Sequence, residues 1–130
     1  MNFWMADRIM HELSIAQDII HIVEDKLSSM DAHNLQVRKI HFRVGKLRAI
    51  IPDNLRFSFE VLSRGSIVEK AYLEIEEIPL RCRCSDCRTR FQADYPHFYC
   101  PACGSGKVDI LQGKELLVDS IEVDQLKENE

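Results

Sequence analysis

Four of the chain's five cysteines fall into two Cys-x-x-Cys pairs, Cys84/Cys87 and Cys100/Cys103, with twelve residues between them. One tight turn presents two sulfurs to a shared ion, and two such turns complete a tetrahedron. The spacing predicts a closed zinc site made of Cys84, Cys87, Cys100 and Cys103. Its chief rivals are iron in a rubredoxin-like site and a disulfide-forming redox pair. A rubredoxin is usually a whole protein, whereas these cysteines occupy a short internal stretch. Pro101 and Gly104 shape the second turn, one fixing φ and the other free to take a positive φ. Cys82 is the spare sulfur, expected as a bystander thiol, with an alternate-ligand role if Cys84 or Cys87 is displaced.

A chain of 130 residues, 45% apolar, holds a modest core and gains from a metal crosslink. The formal charge of −4 argues against nucleic acid as the main partner. Charge is unevenly placed. Residues 80–107 hold five basic side chains against two acidic ones, and the rest of the chain 12 basic against 19 acidic. An odd cysteine count with paired spacing suits a reducing compartment. No apolar run reaches the length that spans a bilayer, and residues 1–9 lack the apolar stretch of a signal peptide. A cytoplasmic protein is expected, with no membrane partner.

Residues 13–30 carry Leu13, Ala16, Ile20, Val23 and Leu27 at helical spacing, with Ile15, Ile19 and Ile22 widening the apolar face. Ser14 and Gln17 are placed for a capping box at the start of that helix. A strand follows, with Ile40, Phe42 and Val44 alternating against Lys39, His41 and Arg43 until Gly45. Pro52 opens a second helix with Leu55, Phe59 and Leu62 on one side, and Gly65 is placed to end it. A second strand covers 72–77. After the cysteine stretch, a last strand places Leu117, Ile121 and Val123 on one face. The expected fold is α+β: two helices on a small, mainly antiparallel sheet, with a zinc-ribbon module inserted before the last strand. The expected parts are 1–9 as an extension or misassigned start, 10–79 with 113–124 as the α+β domain, 80–112 as the zinc module, and 125–130 as a tail.

Several pieces stand out together: Met10-His11-Glu12-Leu13-Ser14-Ile15, Val44-Gly45, Pro52-x-x-Leu55-x-Phe57-x-Phe59, the paired cysteines with Cys100-Pro-x-Cys-Gly-Ser, Gly113-x-Glu115-Leu116 and Ser120-Ile121-Glu122-Val123. In combination they resemble the HypA family of nickel metallochaperones in hydrogenase maturation. Their order runs along nearly the whole chain. The resemblance implies structural zinc on the four cysteines and Ni(II) as cargo, bound by the Met10 amine and His11, with Glu12 as a contributor or a support to the ligands. An amine, a deprotonated amide and an imidazole on adjacent residues form fused chelate rings suited to planar Ni(II). His97 is a further candidate nickel donor, if the zinc module folds toward the N-terminus. The implied partners are the HypB GTPase and the hydrogenase large subunit, or urease as client in some members, for a monomer or homodimer. The chain departs from the pattern in one respect: nine residues precede Met10, which then has no free amine.

No nucleophile–base pair is evident, and four sulfurs would leave zinc without an open position, so binding is expected and not catalysis. The rival reading is a zinc-ribbon module that binds nucleic acid through Arg81, Arg83, Arg88 and Arg90.

Overall fold

The structure, a computed structural model, describes residues 3–30, 34–93 and 98–126, with side chains from His11 onward. Helix α1 (Phe3–Ser29) buries Ile15, Ala16, Ile19, Ile20, Val23 and Leu27 along one face, as their spacing predicts. It starts ten residues earlier than expected. The segment before Leu13 contains no proline or glycine and includes Met5, Ala6, Arg8 and Met10, all good helix formers, so the helix runs through it. Ser14 is therefore an exposed residue inside the helix and not its cap. Ile22 is half exposed, so the buried face is narrower than the sequence suggests.

Strand β1 (Leu35–Gly45) buries Ile40, Phe42 and Val44, while Lys39, His41 and Arg43 stay partly accessible. A short 3₁₀ turn (Lys46–Arg48) leads to helix α2 (Pro52–Leu62), which opens with proline in its first turn and packs against α1. Leu55 and Phe59 are buried, whereas Leu62 is largely exposed. Beyond α2 the chain turns through Gly65 at φ +77°. Strand β2 (Tyr72–Ile78) follows, then β3 (Arg81–Cys84), β4 (Arg90–Gln92), β5 (Val108–Gln112) and β6 (Leu116–Gln125).

These strands make two three-stranded sheets, ordered β2-β1-β6 and β4-β3-β5. In the second, β3 pairs antiparallel with both neighbours. Ion pairs link Lys39 to Glu74 and Arg38 to Glu122 on the first sheet. Along β6, Ile121 and Val123 are half-buried, but Leu117 is exposed; the strand lies at a sheet edge, where alternation is weakly enforced.

The chain divides into two compact units, one of Met1–Phe42, Ile50–Ile75 and Val118–Glu130, the other of Arg43–Ala49 and Glu76–Leu117. The first has a conventional apolar core, which includes Ile19, Val23, Val37, Ile40, Leu55, Phe59, Val68 and Leu73. Among the described residues of the second, Leu80, Cys82 and Ala93 form a small apolar cluster, backed by partly buried Leu47, Phe91, Phe98, Val108 and Ile110, and Val44 and Ile78 are buried as well.

Two glycines close the second unit. The Gly45 N–H donates to the Glu115 carbonyl at 2.8 Å and the Leu47 N–H to the Gly113 carbonyl at 3.0 Å. A Cβ on Gly45 would lie 1.9 Å from the Gly113 oxygen, a backbone atom that cannot swing away. The Gly45 backbone is itself ordinary, at φ −74°. Glycine is needed there for contact, not for conformation. Gly45→Ala should cost ~3 kcal/mol or more in urea unfolding, a value reserved for disrupted cores. Gly65→Ala has open space around it and should cost only the left-handed backbone penalty, about 1–2 kcal/mol. Equal costs for the two would refute the contact argument.

Candidate metal centres

The two Cys-x-x-Cys turns are built alike. In the first, the Cys84 N–H donates to the Thr89 carbonyl, the Arg88 N–H to the Cys84 carbonyl, and the Cys87 N–H to the Cys84 Sγ. In the second, the Cys100 N–H donates to the Ser105 carbonyl, the Gly104 N–H to the Cys100 carbonyl, and the Ala102 N–H to the Cys100 Sγ. The residue after each second cysteine has a positive φ, +64° at Arg88 and +76° at Gly104. Glycine adopts that conformation without strain, whereas Arg88 does so against its Cβ. The two turns are tied together. The Ser85 N–H donates to the Lys107 carbonyl, the Ser85 hydroxyl to Asp109, and the Ser105 hydroxyl to Asp86.

These turns bring the four sulfurs within 4.8 Å of one another, with Cys84–Cys103 and Cys87–Cys100 each at 3.5 Å. Four sulfurs bound at about 2.3 Å to one tetrahedral ion stand about 3.8 Å apart, so the cluster fits a Zn(II)-sized ion with little adjustment. Cys84 and Cys100 are buried and Cys87 and Cys103 exposed.

Without a cation the thiols titrate apart. Cys87 is lowered to about 6, chiefly by the Thr89 hydroxyl and then the Thr89 backbone N–H, with Cys100 assisting. At Cys103 the Ser105 backbone N–H pulls downward, but Cys84, burial, Cys87 and Cys100 together outweigh it and push the thiol up to about 12. The opposite directions are one effect: a first thiolate is welcome in the cluster, and it resists a further one. A divalent cation removes that resistance.

Cys82 lies on the inner side of β3 in the small apolar cluster, and burial raises its thiol. It is not among the four convergent sulfurs. The bystander expectation therefore fits its place in the core.

His11 is exposed and Glu12 buried, both within α1. A helix confined to residues 13–30 would leave His11 just ahead of its start; the earlier start of α1 places His11 inside the helix instead. Met10 is also inside α1, and its side chain, like all of His97, lies outside the described residues. The Glu12 Oε1 accepts the Ile51 N–H at 3.0 Å. Ile51 is the N-cap of α2 and has no capping side chain; the α1 carboxylate instead satisfies the N-cap's own N–H, the bond that a glutamate three residues into the helix makes in a capping box, where the helix dipole favours negative charge. The other oxygen, Oε2, is buried without a hydrogen-bond partner among the described residues.

The sequence reading missed Thr89 and Ser105, and the signal for them was present. Each stands two residues after the second cysteine of its pair, in Cys-x-x-Cys-x-Thr and Cys-x-x-Cys-x-Ser. It also missed Ile51, which no local pattern could link to Glu12, 39 residues away.

Replacing Cys84, Cys87, Cys100 or Cys103 singly with Ser should lower bound zinc well below one equivalent, read by elemental analysis of the purified chain. Cys82→Ser should retain a full equivalent despite placing a hydroxyl in the core. The Cys103 thiol, near 12 without metal, stays protonated across the neutral range, so zinc must displace its proton. Zinc affinity should therefore fall as pH drops from about 8 to about 6, by roughly tenfold per pH unit for each proton displaced. Pre-equilibrium chelator competition at several pH values measures this, and a flat profile would contradict it.

The family model described as "Hydrogenase/urease nickel incorporation, metallochaperone, hypA" matches residues 10–123. The hydrogenase maturation factor HypA of Desulfatibacillum aliphaticivorans is 44% identical over 114 residues, 88% of this chain and 87% of that one. Its counterpart in Azotobacter vinelandii is 39% identical over 115 residues, 88% of this chain and 100% of that one. Among solved structures, the solution structure of the Ni metallochaperone HypA from Helicobacter pylori aligns with a TM-score of 0.61 and 25% identity, covering 88% of this chain and 98% of that one. With a match that spans nearly its whole length and both cysteine turns, this chain belongs to the HypA family.

Proposed function

We propose that this protein binds Ni(II) at His11, joined by the Met10 amine in a chain that begins at Met10, and delivers it during maturation of a [NiFe]-hydrogenase, with urease as the other client class of the family. The observation that carries this reading is the family match beginning at Met10, the first residue of the Met-His-Glu sequence. His11 is exposed, so its imidazole is accessible to an ion. Glu12, buried against α2, supports the ligands from behind and is not a primary donor in this reading. His97 stays a candidate further donor.

Zn(II) is the resident ion on Cys84, Cys87, Cys100 and Cys103 in this account. It fixes the two turns and leaves no position open for a substrate. Nickel is cargo and binds elsewhere, on nitrogen donors that protons can displace. The protein acts as a carrier and not an enzyme, in the cytoplasm, with the HypB GTPase and the hydrogenase large subunit as partners and as a monomer or homodimer. Residues 80–112 serve as the zinc module, and 10–79 with 113–124 as the nickel domain.

This reading makes the amine at Met10 decisive. A chain beginning at Met10 should bind nickel more tightly than the 130-residue chain by at least about tenfold, the loss that removing even an outer-shell partner of a ligand causes, read by isothermal titration. In the shorter chain, His11→Ala should abolish tight nickel binding and leave zinc content unchanged. Nickel affinity should also fall from pH about 8 to about 6, as protons compete with the ion for its nitrogen donors. Equal affinity in the long and short chains would remove the amine from the ligand set.

A further inference from the structure

We propose that the outward face of the β4-β3-β5 sheet is a docking surface for an acidic segment of a partner protein. On β3, Arg81 and Arg83 point outward, and Cys82 and Cys84 alternate with them inward. Across the ladder, Arg83 stands directly opposite Arg90 of β4. Side chains so placed have Cβ atoms about 5 Å apart, and like charges there destabilise a sheet. Among the described residues, Arg81 and Arg90 have no ion-pair partner, and Arg83 reaches only Asp109 on β5, at 4.0 Å. The fold thus holds a repulsive pair of which only one member, Arg83, reaches a carboxylate, at the limit of ion-pair distance.

Balancing the metal site does not account for all of this charge. A divalent ion on four thiolates carries about −2, and a cavity of 320 Å³ walled by Arg83, Cys84, Ser85, Arg88 and Asp109 places Arg83 and Arg88 beside it. Arg81 and Arg90 do not line that cavity. They are surplus to it and exposed.

The face fits protein better than nucleic acid. Asp109 interrupts the positive surface opposite Arg83, and Leu111 lies at the irregularity beside Arg81 with 46% of its surface exposed. A charged surface with an apolar anchor suits an acidic peptide carrying a hydrophobic side chain. Outside residues 80–107 the chain has 19 acidic against 12 basic residues, which repels a long polyanion but tolerates a short acidic segment. Arg81 and Arg83, two positions apart on one strand, are about 7 Å apart, the spacing of alternate residues in an extended segment.

The test uses the zinc-loaded 130-residue chain and two labelled probes in fluorescence anisotropy: a short Glu- and Asp-rich peptide with a central leucine, and an oligodeoxythymidine of equal charge. The peptide should bind more tightly than the oligonucleotide and weaken as salt rises. Arg83→Glu with Arg90→Glu should weaken it about tenfold, and the corresponding lysine pair should retain most of the binding. Leu111→Ser should weaken it without altering the salt dependence. Zinc content is measured for each variant. If the double reversal loses zinc, Arg81→Glu, farther from the ligand turns, reads the same face and should weaken the peptide too. The proposal falls if the peptide does not bind, if reversal leaves its affinity unchanged, or if the oligonucleotide binds more tightly.

Discussion

Everything in the second unit depends on four sulfurs being held together. Its apolar cluster is small, and alone it offsets little of the chain entropy of 49 residues. The two cysteine turns supply the rest, because a tetrathiolate ion can contribute on the order of 10 kcal/mol of apparent folding free energy. Local structure is arranged to make that possible. The N–H groups of Cys87 and Ala102 point at the sulfurs of Cys84 and Cys100, and Thr89 and Ser105 steady the sulfurs of Cys87 and Cys103. The Thr89 and Ser105 donors favour thiolate at Cys87 and Cys103, but at Cys103 the neighbouring thiols outweigh that pull, so a cation is needed to bring all four sulfurs together as thiolates.

The first unit follows a different logic. Its helices and sheet bury an ordinary hydrocarbon core, and they also bury an acid. Glu12 closes the N-terminus of α2, so one oxygen has a structural partner and the other has none among the described residues. A group buried in that way lies next to the exposed imidazole in sequence, which joins the start of α1 to the start of α2 through a single side chain. Disturbing the residues before Glu12 therefore bears on α2 as well as on α1.

Much of this was legible in the sequence, because strong signals repeat. The cysteine spacing specified the cluster, alternation specified β1, and Pro52 specified where α2 begins. The misreadings share a cause. Ser14 and Gln17 satisfy the local chemistry of a cap, but helix propagation through residues with no breaker outweighs a cap motif inside it. Ile22 and Leu117 belong to apolar patterns, yet a helix stripe and an edge strand each bury fewer positions than their sequences offer. The Glu12–Ile51 contact and the placing of Arg83 opposite Arg90 arise from tertiary pairing, and periodicity within one segment carries no record of that.

The central claim is that two metals occupy two chemically distinct sites, sulfur for the resident ion and nitrogen for the cargo. X-ray absorption at both edges of a zinc-loaded chain beginning at Met10, with one equivalent of nickel added, tests it most directly. The account predicts a zinc shell of four sulfurs at about 2.3 Å, unchanged by nickel, and a nickel shell of nitrogen and oxygen donors without sulfur. Sulfur in the nickel shell, or loss of sulfur from the zinc shell when nickel binds, would contradict it.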